Sequence, residues 1–352
     1  MAKKKTTLPK NFDEMMRAGD IEELKAVFDK CEFDATGGFN KGTALHFYGI
    51  PGELVSWLAE QGANIEAENS YGRTPLYIQA SIGSDNVKLL LELGADIEAA
   101  DRYGETALHI AAGFYKAETV GLLIERGANI HKENESGQTP LSYGLERCQN
   151  TNISGMAEVA KLLLDAGAKI TPDMAESVLR IGKTFEFHRE GFNKDLLRET
   201  EEGLARLYEL FGVTPVAKRR VHDGLSPITA AAADWQGQHN ELWEFLVPSQ
   251  GPAQTVQGEV IRITGRISDE TYRNGGCNWD ASYRKMLDAL LSHFASGAPL
   301  SEKELGEAKE LAAVIRPSGE CDDEPDRLCE LATIWVLRNP NPVPLEKPAY
   351  NR

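Results

Sequence analysis

The side chains in this chain best suited to proton transfer or metal binding are His188, His222, Asp223, Trp235, His239 and Trp243. An imidazole beside a carboxylate is the elementary acid–base pair, and several imidazoles together hold a divalent metal. Brought onto one face, this group would form such a centre. Its spacings match no metal-ligand motif, however, and His222-Asp223 also suits a surface hairpin, where polar residues are expected anyway. Elsewhere the signals for chemistry are weaker. The five cysteines, Cys31, Cys148, Cys277, Cys321 and Cys329, contain no C-x-x-C pair, so free thiols in a reducing compartment are expected rather than a zinc site or a disulfide framework. Cys277 has no neighbouring general base. Gly275-Gly276 has the composition of a phosphate-cradling nest but lacks a following Gly-Lys-Ser/Thr. A tight turn is expected there, with Asp280 or Asn278 capping the next helix. The acidic run Glu320-Cys321-Asp322-Asp323-Glu324-Pro325-Asp326 fails the spacing of a calcium loop. It reads as the negative first turn of a helix, and as a patch able to receive a basic partner. No catalytic residue, metal ligand or cofactor site is assigned, and the protein is not expected to be an enzyme. An active site in the second half of the chain stays open as an alternative.

The elements that position these residues announce themselves by repetition. Gly42-Thr43-Ala44-Leu45-His46, Gly72-Arg73-Thr74-Pro75-Leu76-Tyr77, Gly104-Glu105-Thr106-Ala107-Leu108-His109 and Gly137-Gln138-Thr139-Pro140-Leu141-Ser142 recur at glycine-to-glycine steps of 30, 32 and 33. A second echo runs out of phase, through Gly62-Ala63-Asn64-Ile65, Gly94-Ala95-Asp96-Ile97, Gly127-Ala128-Asn129-Ile130 and Gly167-Ala168-Lys169-Ile170. This pattern resembles the ankyrin repeat, with its period of about 33 residues and its T-P-L-H-x-A core. Within one repeat, Thr74-Pro75 opens a short inner helix, Gly83 breaks it, and Val87, Leu90 and Leu91 supply the apolar stripe of an outer helix. Gly94 then closes that helix in a left-handed conformation and the chain enters a projecting hairpin. Each unit exposes an apolar face that only stacking hides. The expected fold is therefore all-α, an ankyrin-type helical-repeat solenoid with short projecting hairpins.

The resemblance implies that a partner protein is held by the hairpin tips and the concave face of the inner helices. Carried over position by position, it marks Tyr71, Arg73, Arg102, Tyr103, Glu105 and Glu135 on the hairpins. Tyrosine beside arginine is the composition of interface hot spots. Phe114 and Tyr115 replace the small residue and glycine usual before the inter-helix turn, and add an aromatic edge or pack on a neighbouring repeat. Trp235 and Trp279 mark further tips in the second half. The resemblance also implies that His46 and His109 hydrogen-bond neighbouring hairpins rather than catalyse; Tyr77 and Ser142 stand in the same position.

Residues 37–170 carry the clear repeats. Residues 1–36 read as an N-terminal capping pair, Phe12 to Ala18 and Ile21 to Phe28 split by Gly19-Asp20, and an insertion lies near Glu146 to Ser154. From 171 to 352 a fainter period persists, with landmarks at Gly212, Gly251, Gly297 and Asn341. Asp223 to Ala231 reads as a further repeat opening. Val256, Val260, Ile263 and Ile267 fall at 4, 3, 4 spacing, a helix despite its β-branched residues. The reading adopted is a continuous stack of longer, divergent helical pairs; its rival is a separate helical domain.

The chain has 352 residues, 41% of them hydrophobic, and a net charge of -16. Such acidity repels nucleic acid and anionic membranes and steers basic proteins inward, although it also serves solubility alone. The opening Met1-Ala2-Lys3-Lys4-Lys5 has no apolar run behind it and does not read as a secretory signal. No stretch is long and apolar enough to suggest a spanning helix. The expectation is a cytoplasmic protein-interaction scaffold. Its narrower form is an immunity-type inhibitor of a basic toxin.

Overall fold

The computed structural model describes residues 3–350. The chain divides into two compact units, Met1–Phe185 with Asn193–Val216, and Glu186–Phe192 with Ala217–Arg352. Sixteen α-helices and a three-stranded sheet are found among the described residues.

The first unit opens with β1 (Lys5–Thr7), then the capping pair α1 (Phe12–Ala18) and α2 (Ile21–Val27). Gly19 ends α1 at φ 74°, and the Asp20 carboxylate caps α2 by accepting from the Glu22 and Glu23 amides. Strands β2 (Cys31–Gly37) and β3 (Gly42–Thr43) follow, with β1 parallel and β3 antiparallel to the central β2. This sheet goes beyond the sequence reading, which left the N-terminal lysines outside any element. Burial of Cys31 and Ala35 alternates with exposure of Glu32 and Asp34, as a half-covered strand requires. Lys4 is fixed too, its Nζ donating to the Phe28 carbonyl at 2.7 Å.

The repeats run through a single 3₁₀ turn at Ala44–His46 and α3 (Gly52–Glu60), then α4 (Pro75–Ile82) and α5 (Asn86–Glu92). After these come α6 (Ala107–Gly113) and α7 (Ala117–Glu125), then α8 (Pro140–Arg147) and α9 (Ile153–Asp165). Thr74, Thr106 and Thr139 each cap an inner helix by accepting the amide three residues on, and proline fills the first turn of α4 and α8. Inner helices pack in series, α4 on α6 and α6 on α8, through fully buried Leu76, Ala80, Leu108, Ala112 and Leu141. Outer helices bury one stripe each, Val87 with Leu90 and Val120 with Leu123. Helices α10 (Pro172–His188) and α11 (Lys194–Phe211) follow, and α11 packs on α9. That approach is close because Gly203 has no side chain: a Cβ there would lie 2.8 Å from the Ser154 Cα.

The second unit takes in Glu186–Phe192, which begins with the last residues of α10, together with α12 (Trp235–Leu246), α13 (Val256–Asn274), α14 (Ala281–Phe294), α15 (Glu302–Ile315) and α16 (Glu324–Arg338). Helix α13 is its axis and packs against α12, α14 and α16, while α12 also touches α16. The helix expected over Val256 to Ile267 is present, with Val260, Ile263 and Ile267 fully buried. Asp280 caps α14 as expected, accepting from the Ser282 and Tyr283 amides. The repeat opening expected at Asp223 to Ala231 is absent; this segment is irregular. Its amides find other acceptors: Leu225 and Ser226 donate to the Asp223 carboxylate, Ile228 to the Pro340 carbonyl and Ala231 to the Glu241 carboxylate. Those bonds replace the ones a helix would make.

Candidate functional site

The hairpins of the first unit share one building rule. Asn69 Oδ1 accepts from the amides of Tyr71 and Arg73 at 2.8 and 3.2 Å. Asp101 Oδ1 accepts from Tyr103 and Glu105, and Asn134 Oδ1 from Ser136 and Gln138. Gly72, Gly104 and Gly137 make the left-handed turn at φ 75°, 74° and 73°. In the first hairpin that conformation falls on Lys41, at φ 51°, and not on Gly42. Threonine therefore marks the repeat in true register, whereas Gly42 stands one place late. Successive tips are tied by main-chain bonds: Ser70 N to Asn40 O at 2.9 Å, Arg102 N to Tyr71 O at 3.3 Å and Glu135 N to Tyr103 O at 2.9 Å.

This frame decides which tip residues face outward. Tyr71 is 37% exposed and Tyr103 53%, and Arg102 and Glu135 are exposed beside them. Phe114 is 56% exposed at the end of α6. Tyr115, half-buried, adopts φ 57°, the left-handed turn that Gly83 makes one repeat earlier. Residues just before the capping threonine turn the other way, toward the inner helices. Arg73 is half-buried: its Nε donates to Asp101 Oδ2 at 3.0 Å, and its guanidinium lies over the rings of Tyr71 and Tyr77. Glu105, read as a tip residue, is only 7% exposed and accepts from the Tyr77 hydroxyl at 2.8 Å. Its carboxylate also lies 3.9 Å from Arg147, whose guanidinium covers Tyr143. Glu105 is thus an internal strut, not an exposed contact.

The histidines of the repeats are structural links. His46 Nδ1 accepts from the Thr43 amide at 3.0 Å and its Nε2 donates to the Arg73 carbonyl at 2.9 Å. His109 does the same between Thr106 and the Gln138 carbonyl. One nitrogen accepting and one donating describes a neutral ring, and burial lowers the pKa of both.

In the second unit the six residues singled out for chemistry separate into two sets. His222 Nδ1 accepts from the Gly224 amide at 2.9 Å and Nε2 donates to the Ser226 carbonyl at 2.8 Å. The Asp223 carboxylate binds the Ser226 hydroxyl and the amides of Ser226 and Leu225, which hold its pKa far below the usual carboxylate range. The two side chains approach only to 3.9 Å and form a capped turn rather than an acid–base pair. His188, Trp235, His239 and Trp243, by contrast, line one cavity of about 750 Å³. Trp235 opens α12 rather than standing at a tip. Trp279 is held within its unit, stacked on Tyr283 at 4.7 Å with its Nε1 donating to the Arg316 carbonyl at 3.0 Å.

Among the described residues, no group of three or more His, Cys, Asp or Glu is placed to hold a metal. Burial pushes the Cys148 and Cys329 thiols up to about 12, which disfavours the nucleophilic thiolate. No described helix is long and apolar enough to cross a membrane.

Comparison with known families agrees with this geometry. Residues 15–101 and 98–173 match the family model described as ankyrin repeats (3 copies). The N-terminal part of the chain is therefore built of ankyrin repeats, which are generally protein–protein interaction modules. No curated protein matches the chain.

Proposed function

We propose that this protein binds another protein through the outward hairpin tips of its ankyrin repeats, with Tyr71, Arg102 and Tyr103 at the centre and Phe114 and Glu135 beside them. The observation behind this reading is the pairing of exposed aromatic rings with a rigid frame. Tyr71 and Tyr103 sit on consecutive hairpins whose main chains are hydrogen-bonded to each other. Large rings held in place lose little entropy on binding, so their burial contributes more to affinity than that of flexible side chains. Arg73 supports them from behind through Asp101. The net charge of -16, spread over the whole chain, favours a basic partner through long-range steering.

Photo-crosslinking residues placed singly at positions 71 and 103, with position 118 on an outer helix as control, test the reading in cells that make the protein. One partner captured from 71 and 103 but not from 118 is the expected result. Binding of that purified partner should weaken at least about tenfold in a Tyr71→Ala, Tyr103→Ala double variant. Equal capture from all three positions, or unchanged affinity, would overturn it.

A further inference from the structure

The cavity of the second unit is independent of the hairpin surface and has the makings of a small-molecule site. Its volume of about 750 Å³ falls within the range of ligand pockets. Trp235, His239 and Trp243 recur every four residues on α12, so they share one face, with the two indoles separated by about 12 Å of helix rise. Trp243 lies against α13 where Gly265 leaves room: a Cβ there would come within 2.2 Å of the indole. Phe187 stacks on Trp243 with planes 12° apart, and Tyr272 of α13 supplies a further ring. The lining therefore sets four aromatic rings, interspersed with polar side chains such as Gln236, Asn240 and Ser268, around one buried imidazole.

That imidazole has a defined free position. His239 is 7% exposed, and its Nε2 lies 3.1 Å from Thr264 Oγ1. The Thr264 hydroxyl donates to its own helix, toward the carbonyls of Val260 at 3.2 Å and Ile261 at 3.1 Å. Its oxygen is then the acceptor, and His239 Nε2 carries the proton. Nδ1 is left as a lone-pair acceptor with no protein donor among the described residues. Burial keeps the ring neutral, with its pKa held down to about 4. The charged residues of the lining balance: two arginines, Arg266 and Arg273, against two aspartates, Asp269 and Asp326, in a chain of net charge -16. Arg273 and Asp269 are paired with each other at 3.0 Å.

We propose that this cavity binds a neutral planar nitrogen heterocycle of nucleobase size, whose ring N–H donates to His239 Nδ1 and one face of which stacks on Trp235. The flat lining selects planarity, the free acceptor selects an N–H edge, and the balanced lining selects against net charge.

Calorimetric titration of the full chain with adenine and with benzimidazole, at neutral pH, tests the site. Saturable one-to-one binding by at least one of them is the expected result. The affinity should fall about tenfold in His239→Phe, the effect of one lost hydrogen bond. In the wild type the ¹⁵N resonance of His239 Nδ1 should move on binding, a change that a purely structural histidine would not show. Trp235→Leu, at the half-exposed start of α12, should also weaken binding, and it serves if the histidine variant fails to fold. No saturable binding by either probe up to its solubility overturns the proposal, as does a stationary Nδ1 resonance. Adenosine monophosphate binding as tightly as adenine would overturn the neutral-ligand assignment.

Discussion

The Tyr77 hydroxyl donates to the Glu105 carboxylate at 2.8 Å, where the flanking repeats use a histidine ring to reach a main-chain carbonyl. Both arrangements tie one inner helix to the next hairpin. The tyrosine version does so through a buried charge. Tyr77→Phe should therefore cost about 1.5–3 kcal/mol, because a hydrogen bond to an ionised group is lost and the carboxylate stays buried. Tyr77→His should cost less, since the ring can make the link that His46 and His109 make. Chemical denaturation of the three proteins checks the order; equal stability of Tyr77→Phe and the wild type would show that the contact adds nothing.

Lys41 and Gly72 occupy the same left-handed turn in successive hairpins, at φ 51° and 75°. A side chain in this region costs roughly 1 kcal/mol relative to glycine. Lys41→Gly, at an exposed position, should stabilise the protein by about that amount. Gly72→Ala should destabilise it by more, because the new Cβ would also lie 3.2 Å from the Arg102 main-chain nitrogen. Midpoints of denaturant unfolding should move in opposite directions.

These two turns also show what the sequence could reveal. The Thr-x-Leu motif repeats because every inner helix needs the same cap and the same buried leucine, so the ankyrin segment was legible from composition and period. The glycine echo misled by one place at Gly42, since lysine can occupy a turn that glycine merely occupies more easily. Glu105 was misread because its side chain turns inward toward Tyr77; the signature of that turn is the Asn or Asp three residues before each turn glycine, at Asn69, Asp101 and Asn134, and it lies outside the Thr-x-Leu motif. The sheet escaped because Lys5–Thr7 is too short to show alternation and pairs with a segment 26 residues away, Lys5 with Cys31. In the second unit, Trp235, His239 and Trp243 fall at i, i+4 and i+8 on one helix face, although Trp235 was read as standing at a tip. Phe187 and Tyr272, which complete the cavity, come from other helices and could not be placed beforehand.

His46, His109, His239 and His293 all have pKa values lowered by burial, His239 to about 4. Each ring stays neutral in the fold but takes a proton near pH 6.5 once unfolded. Their contribution to stability is thus full above about pH 6.5 and declines as the pH falls toward the folded value. For His239 the loss amounts to roughly 3 kcal/mol between pH 6.5 and 4. Unfolding free energies measured across this range should fall with acidity, and His239→Phe should flatten the curve. An unchanged slope in that variant would mean that His239 is not held neutral.

Glu259 and Arg262, one turn apart on α13, form an ion pair with side chains 0% and 1% exposed. The Tyr350 hydroxyl and the Ala253 amide complete the carboxylate shell at 2.8 and 3.0 Å. Burial alone would raise the Glu259 pKa, but Arg262 and these donors outweigh it, and the net shift is downward. Attraction within such a pair roughly offsets the cost of dehydrating two charges, so removing both need not harm the fold. Glu259→Gln alone should destabilise the protein by about 3–5 kcal/mol, because it removes the buried carboxylate that faces the Arg262 guanidinium. Glu259→Leu combined with Arg262→Met should lose much less than the sum of the single changes. Tyr350→Phe should cost about 1.5–3 kcal/mol and loosen the C-terminal segment, whose Leu345 amide is anchored on the Gln254 carbonyl at 3.0 Å. A double-mutant cycle read by denaturant unfolding, with amide exchange at Leu345, checks both points. Additive losses would mean that the two charges act independently despite their contact.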